Sequence, residues 1–314
     1  MSKTRKVIGM GETIMDIIFR NGQPRAAVHG GSSFNSIVSV GRAGVPCVFV
    51  GDTGADIVGR QTLDFMRANH VGTDYCPMRP DMKSAVSLAY LDDNGDASYV
   101  FYKQKPEAPK EWTLPQIDAD DVLLYGSYFA SCQGMRPLVE DMLSHATAGG
   151  AIIYYDINFR SSHSHELEAL LPTIEDNCRR SSIVRGSADD FEVLFGERDA
   201  ATIYERHIRK LCPVFICTSG AGAVTVCLPH GTLHFPVPRV EDVASTVGAG
   251  DNFNARLACS LIWRGIRKDM LPALGSEEWQ HLLATACAFS GNACRTLDNY
   301  ISVEFGLRAS GLPV

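Results

Sequence analysis

The residues best suited to chemistry lie in the run Ser245-Thr246-Val247-Gly248-Ala249-Gly250-Asp251. Apolar positions follow at Phe253, Leu257, Ala258, Leu261 and Ile262, the spacing of one helix face. Gly248-Ala249-Gly250 therefore sits where a helix begins. Such a start offers unbonded N–H groups and the positive end of the helix dipole. Glycines let an anion approach that backbone. Asp251 adds a carboxylate on the first turn, so a bound phosphate would have a base beside it, as phosphoryl transfer to a hydroxyl requires. Many Gly-Ala-Gly turns only reverse the chain, so the elements around this one decide its meaning.

A second glycine pair, Gly30-Gly31, precedes Ser32-Ser33-Phe34-Asn35 and a helical pattern through Ile37, Val38, Val40 and Ala43. Ser32 or Ser33 is expected to cap that helix, and Asn35 to point from its first turn towards whatever the glycines face. Asp16 lies inside the apolar run 13–19, where an acid needs partners. The runs 84–90 and 97–102 carry Tyr90, Tyr99, Phe101 and Tyr102 and flank Asp92-Asp93-Asn94-Gly95-Asp96. Counted from Asp92, the twelfth residue is Lys103 rather than the glutamate of a calcium loop, so a hairpin turn is expected. With no helix beside it, this hairpin should stand apart from the main sheet as a lid.

From residue 120 onward, strand-like runs at 121–125, 151–155, 182–185 and 213–218 alternate with helical segments at 134–148, 166–179, 189–195 and 199–210. That order gives an α/β fold with a mostly parallel sheet covered by helices. The run 223–228 returns antiparallel to 213–218. Ligands in such sheets bind beyond the carboxyl ends of the strands. Gly11-Glu12, Gly126-Ser127, the stretch Asp156 to Arg160, Ser187 to Asp190 and Thr218-Ser219-Gly220 all fall there. The helix at 277–296 is rich in small residues, which suits close packing before it suits an adenine ring. His163-Ser164-His165 reads as a solvent-facing loop.

Bulk properties narrow the function. The 314 residues are 45% hydrophobic and 21% charged, an ordinary globular composition. A net charge of -7, a pI near 5.7 and the lack of a basic stripe argue against nucleic acid as the partner. Apolar runs are too short to span a bilayer. The basic start, Met1 to Lys6, is not followed by an apolar segment with a cleavage site, so no signal peptide is expected. Ten dispersed cysteines without a CxxC pair read as reduced thiols in a cytoplasmic protein.

Taken together, these stretches resemble the PfkB carbohydrate kinases, the ribokinase-like family, from about residue 7 to about 300. Gly30-Gly31-Ser32-Ser33-Phe34-Asn35 resembles the family's N-terminal signature. Ser245 to Asp251 resembles its C-terminal one, usually Asp-Thr-x-Gly-Ala-Gly-Asp. Within the family, the hairpin, Gly126-Ser127 and Asp156-Ile157-Asn158-Phe159-Arg160 are most similar to fructokinases and 2-keto-3-deoxygluconate kinases. Ser32, where ribokinases carry lysine, argues against ribose. The resemblance implies a single three-layer α/β/α kinase domain over 1–314, with a small β lid from about 17–30 and 84–105.

It also implies ATP-dependent phosphorylation of a sugar hydroxymethyl group, with fructose or a related ketose or keto-sugar acid as acceptor. Asp251 would be the base, and the Gly248, Ala249 and Gly250 backbone the anion hole. Asp16, Gly30, Gly31, Asn35, Tyr102 and Arg160 would hold the sugar. Ser187, Thr218, Gly220, Gly222 and Asn292 would line the nucleotide site, and Asp190 would act on Mg²⁺ through water. Relatives hold a monovalent cation with an aspartate where this chain has Ser245, so a K⁺ site at Ser245 stays open. The implied partners are the sugar, ATP and a second copy meeting through the lid. Two alternatives remain: a nucleoside kinase of the same fold, and a catalytically weak sugar-binding or regulatory protein.

Overall fold

The computed structural model describes residues 4–92 and 97–310, the side chain of Ser310 excepted. In chain order the first half contains β1 (Val7–Met10), β2 (Ile14–Arg20), β3 (Gln23–Gly30), α1 (Ser32–Arg42), β4 (Cys47–Val50) and β5 (Thr53–Gly54). Then come α2 (Ile57–Ala68), β6 (Val71–Tyr75), β7 (Met78–Arg79), β8 (Ala85–Leu91), β9 (Ala97–Tyr102), β10 (Val122–Gly126), α3 (Ser127–Ser131) and α4 (Arg136–Gly149). The second half contains β11 (Ile152–Asp156), α5 (Leu167–Arg180), β12 (Ile183–Ser187), α6 (Ala188–Phe195), α7 (Ala200–Ile203) and β13 (Phe215–Thr218). It closes with β14 (Ala223–Leu228), β15 (Gly231–Pro236), α8 (Ala249–Trp263), α9 (Ser276–Ala293) and α10 (Val303–Ser310).

Nine strands form one sheet in the order β15-β14-β13-β12-β11-β10-β1-β4-β6. From β13 to β6 every pairing is parallel, whereas β14 and β15 add an antiparallel edge. The inner strands β1, β10 and β11 are buried along their whole length, as strands covered on both faces must be. One apolar cluster, with Phe34, Phe49, Leu257 and Trp279, packs under α1, α8 and α9. A second, with Tyr125, Leu143, Ile153 and Phe191, packs under α4, α5 and α6 on the opposite face. The α/β sandwich expected from the alternation is therefore present. The edge strands β6 and β15, the latter mostly exposed, are not among the expected runs.

A separate four-stranded sheet has the order β3-β2-β8-β9. Strand β2 runs parallel to β8, and the other two pairings are antiparallel. This sheet takes in Ile14–Gly30 and Ala85–Tyr102. Strands β8 and β9 pair from Val86↔Tyr102 to Leu91↔Ala97. Residues 93–96 of the acidic turn lie outside the described residues. The small residues of α9 serve packing: Ala286 and Ala293 are fully buried, and α9 lies along α8. All ten cysteines are buried and unpaired. Among the described residues, no helix is long and apolar enough to cross a membrane.

Candidate active site

Helix α8 starts at Gly248, which adopts φ 78°. A side chain there would be strained by the left-handed backbone and would meet the Asn299 carbonyl at 2.5 Å. The turn thus packs against the segment that leads into α10. Ala249 N–H donates to the Thr246 carbonyl, so it is engaged within the turn. The next two amides, of Gly250 and Asp251, open the helix and have no helical carbonyl one turn behind them. Of the three residues expected to form the anion hole, Ala249 has its amide engaged within the turn.

Asp251 stands at the end of this turn, between two helices. Ser32 Oγ donates to its Oδ1 and Asn35 Nδ2 to its Oδ2, both at 2.8 Å. Helix α1 is fixed against α8 by the same seam: Ser36 Oγ donates to the Asp251 carbonyl at 2.8 Å and Ser39 Oγ to Asn252 Oδ1. The serines do not cap α1, whose N-cap is Gly31 without a side-chain bond. The hydroxyl expected to close the helix start holds the carboxylate of the next helix instead. Burial pushes the Asp251 carboxyl up to about 6, an effect that the Asn35 and Ser32 hydrogen bonds moderate.

Asp16 lies on β2 and is buried. Ser87 Oγ donates to Oδ1 at 2.5 Å and Asn299 Nδ2 to Oδ2 at 3.1 Å. Burial raises it too, to about 6, against the Ser87 and Asn299 hydrogen bonds. Gly30 packs directly on this carboxylate. Asn299 thus touches Asp16 through its side chain and Gly248 through its backbone. Its own Oδ1, like Asn35 Oδ1, is buried and accepts no hydrogen bond. A ligand hydroxyl would satisfy such acceptors.

Two cavities meet at Asp251. The first is lined by Asp16, Gly31, Ser32, Asn35, Tyr99, Phe101, Lys103, Tyr128, Arg160 and His163, among others. The second is lined by Asn158, Arg160, Arg185, Ser187, Asp190 and Thr246 to Asp251. They share Tyr99, Asn158, Arg160, Val247, Gly248 and Asp251. Arg160 lies over the Tyr99 ring at 5.7 Å, and Lys103 Nζ is 2.6 Å from Glu12 Oε2. His163 is half-buried and stacks on Tyr128 at 3.8 Å, so it belongs to the first cavity rather than to a solvent-facing loop.

Tyr102 needs correction. It is 61% exposed and absent from both cavities, whereas Tyr99 and Phe101 line the first. Successive side chains of β9 alternate between faces, so the odd-numbered residues point inward and Tyr102 outward. On the other side, Ser187 and Asp190 form a capping box at the start of α6. Asp190 Oδ2 accepts from Ser187 N and Oγ at 2.6 and 2.8 Å. Burial raises the Asp190 carboxyl above its usual range. Thr218 Oγ1 accepts from Arg185 at 2.7 Å, while Gly220 and Gly222 sit on an exposed loop. Asn292 is outside both cavities and accepts from Ser302 N at 2.9 Å. Ser245 is buried, its Oγ accepts from Val247 N at 3.1 Å, and it brings no charge. Among the described residues, no three His, Cys, Asp or Glu side chains cluster as metal ligands.

Comparison with known proteins identifies the family and the fold. The pfkB family carbohydrate kinase pattern matches residues 5–294. An aminoimidazole riboside kinase of Salmonella typhimurium is 29% identical over 302 residues, covering 94% of this chain and 89% of its own. A fructokinase of Rhizobium leguminosarum bv. trifolii is 28% identical over 265 residues, covering 81% and 79%. Among solved structures, Vibrio cholerae fructokinase with fructose, ADP and calcium superposes with a TM-score of 0.84 at 20% identity, over 96% of both chains. Salmonella enterica aminoimidazole riboside kinase with its riboside and an ATP analogue gives 0.80 at 23% identity, over 98% of this chain and 99% of that one. These last two likenesses establish the fold.

Proposed function

Since the chain belongs to the pfkB family of carbohydrate kinases, phosphotransferases that use an alcohol group as acceptor, we propose that it transfers the γ-phosphate of ATP to the hydroxymethyl group of a ketose such as fructose. The observation that carries this reading is the placement of Asp251 where the two cavities meet, held by donors from α1. A sugar in the first cavity and a triphosphate in the second would present their reacting atoms to one carboxylate.

Asp251 takes the proton from the hydroxymethyl oxygen as that oxygen attacks phosphorus. The Ser32 and Asn35 bonds fix its direction, and a carboxyl titrating near 6 is ionised at neutral pH. The amides at the start of α8 face the transferred group and stabilise its charge. Asp16 accepts from sugar hydroxyls, and the unpaired oxygen of Asn35, which lines the same cavity, adds a further acceptor. Arg160, exposed and shared by both cavities, pairs with phosphate. Asp190 and Ser187 border the nucleotide cavity, and the acidic donor there suits a hydrated divalent ion. Mg²⁺ bound with the nucleotide would neutralise phosphate charge. Ser245 offers a hydroxyl already engaged by Val247 N and no charge, which weakens a monovalent-cation site, so replacing K⁺ by choline should change turnover little.

The sheet β3-β2-β8-β9 acts as the lid of this single-domain enzyme. Tyr99 and Phe101 close over the sugar and exclude water as a competing acceptor. Its outer residues Tyr90, Val100 and Tyr102 are exposed, and they form the contact with a second copy. The ten buried, unpaired cysteines support placing the enzyme in the cytoplasm.

One observation favours a second acceptor class. Tyr128 and His163 make a flat stacked pair at the rim of the sugar cavity, which suits a riboside base. The 29% identical relative is an aminoimidazole riboside kinase. Assay of ADP release with ATP and a panel of ketoses, keto-sugar acids and nucleosides separates the readings. Turnover confined to ketoses supports the first and turnover confined to ribosides the second. No turnover with any acceptor overturns both.

A further inference from the structure

Arg185 is a cation in an unusual place. It lies on β12, inside the sheet, and is 7% exposed. Its Nη1 donates to Asp156 Oδ1 at 3.0 Å and its Nη2 to Thr218 Oγ1 at 2.7 Å. Its Nε is buried and has no acceptor. The guanidinium lies directly under the first turn of α8: a Cβ on Gly250 would stand 2.9 Å from both Nη1 and Nη2. Gly250 thus has a packing reason to be glycine, and the reason is this charge. The same side chain lines the nucleotide cavity.

The surroundings argue against a simple buried ion pair. Asp156 is shared, since Asn254 Nδ2 donates to its other oxygen at 2.7 Å, and Tyr154 OH donates to Asn254 Oδ1 at 2.7 Å. Asn254 lies on α8, one turn beyond the base. Arg185 therefore joins the ends of β11, β12 and β13 to the helix that carries Asp251. Three carboxylates, Asp189, Asp190 and Asp251, line the cavity that Arg185 borders. Burying a charge is costly, and an apolar pair usually packs as well. What an apolar pair lacks is positive charge behind an anion-binding turn, in a low-dielectric site where it acts strongly.

We propose that Arg185 is a positioning residue for phosphoryl transfer: a buried guanidinium that backs the first turn of α8 and supplies fixed positive charge next to the transferred phosphate. This rests on the reading of the second cavity as the nucleotide site. The charge is covalently part of the chain, so it is present whatever the ionic content of the medium. It also reaches both reacting sides, through Thr218 to the nucleotide loop and through Asp156 and Asn254 to the helix of the base.

The test compares Arg185→Lys, Arg185→Met and the double variant Arg185→Met/Asp156→Asn in steady-state kinetics and thermal melting. The probes are ATP with whichever of fructose and aminoimidazole riboside the wild type turns over. Losing a preorganised charge of this kind lowers kcat by roughly 10²–10³-fold, so Arg185→Met should fall that far while the KM for the acceptor stays close to wild type. Arg185→Lys should recover most of kcat. The double variant removes the stranded carboxylate and should recover Tm but not kcat. Recovery of both Tm and kcat by the double variant would make Arg185 a structural residue and overturn the inference, as would a wild-type kcat in Arg185→Met. Absence of turnover by the wild type would remove the reading of the cavity and the inference with it. A failure confined to the Arg185 variants leaves that reading standing.

Discussion

The two halves of the site are built differently. In the first cavity, Asp251 is held by Ser32 and Asn35, and Asp16 by Ser87 and Asn299. Both sit where regular elements pack, α1 against α8 and β2 against β8. On the donor side, the loop from Ser219 to Gly222 is exposed. Contacts there come from strand ends, a capping box and one buried arginine. Proton transfer needs a direction fixed within a few tenths of an ångström, and the acceptor half supplies it with crossed hydrogen bonds. A triphosphate is flexible and carries its own charge, so on the proposed reading amides and a fixed cation would suffice there.

Variants on each side sharpen that contrast. Asp16→Ala removes the carboxylate proposed to accept from sugar hydroxyls. Such charged hydrogen bonds contribute about 1.5–3 kcal/mol, so kcat/KM for the sugar should fall on the order of 10- to 100-fold. The KM for ATP should hardly move, and a comparable rise in it would dissolve the distinction between the halves. Gly248→Ala acts on the boundary. Forcing a side chain into the left-handed region against the Asn299 carbonyl costs about 1–3 kcal/mol, visible as a lower Tm. Because Asn299 also holds Asp16, the acceptor KM should rise together with a fall in kcat.

pH gives a smaller but cleaner signal. Asp16 and Asp251 both titrate near 6, raised by burial. The ionised forms are the working ones, so kcat/KM for the acceptor should fall as pH drops through 6 and level off above 7. The sign for stability is opposite. A carboxyl whose folded value is raised stabilises the protein below its unfolded value, and that contribution disappears as pH rises through 6. Asp16→Asn should therefore raise Tm at pH 7.5 more than at pH 5. An equal effect at both values would show that the Asp16 shift is absent.

Much of this site could be read along the chain, because its parts lie within single helix starts. Gly248 to Asp251, Gly31 and Asn35 each announce a turn and a residue facing it, and the strands that end near them follow from alternating patterns. The supporting partners could not be read that way. Ser87 is 71 residues from Asp16, and Asn299 is 283. Arg185 sits in a strand with no local feature to mark it, and only the fold brings it beneath Gly250. The aromatics Tyr99, Phe101 and Tyr102 marked a hairpin apart from the main sheet but not its faces, since composition does not set which alternate residues turn inward. The β15 edge alternates Leu233 and Phe235 with exposed residues, but over too short and glycine-led a run to stand out as a strand.

The central claim is that one carboxylate, where the two cavities meet, is the base. Asp251→Asn keeps size and polarity and removes proton acceptance. Its kcat for ADP release with the accepted sugar, measured beside the affinity of that sugar by calorimetry, is the direct test. Loss of a general base lowers rate by about 10²–10⁴-fold, and the account predicts that loss with sugar affinity close to wild type. A variant that turns over at the wild-type rate would contradict it.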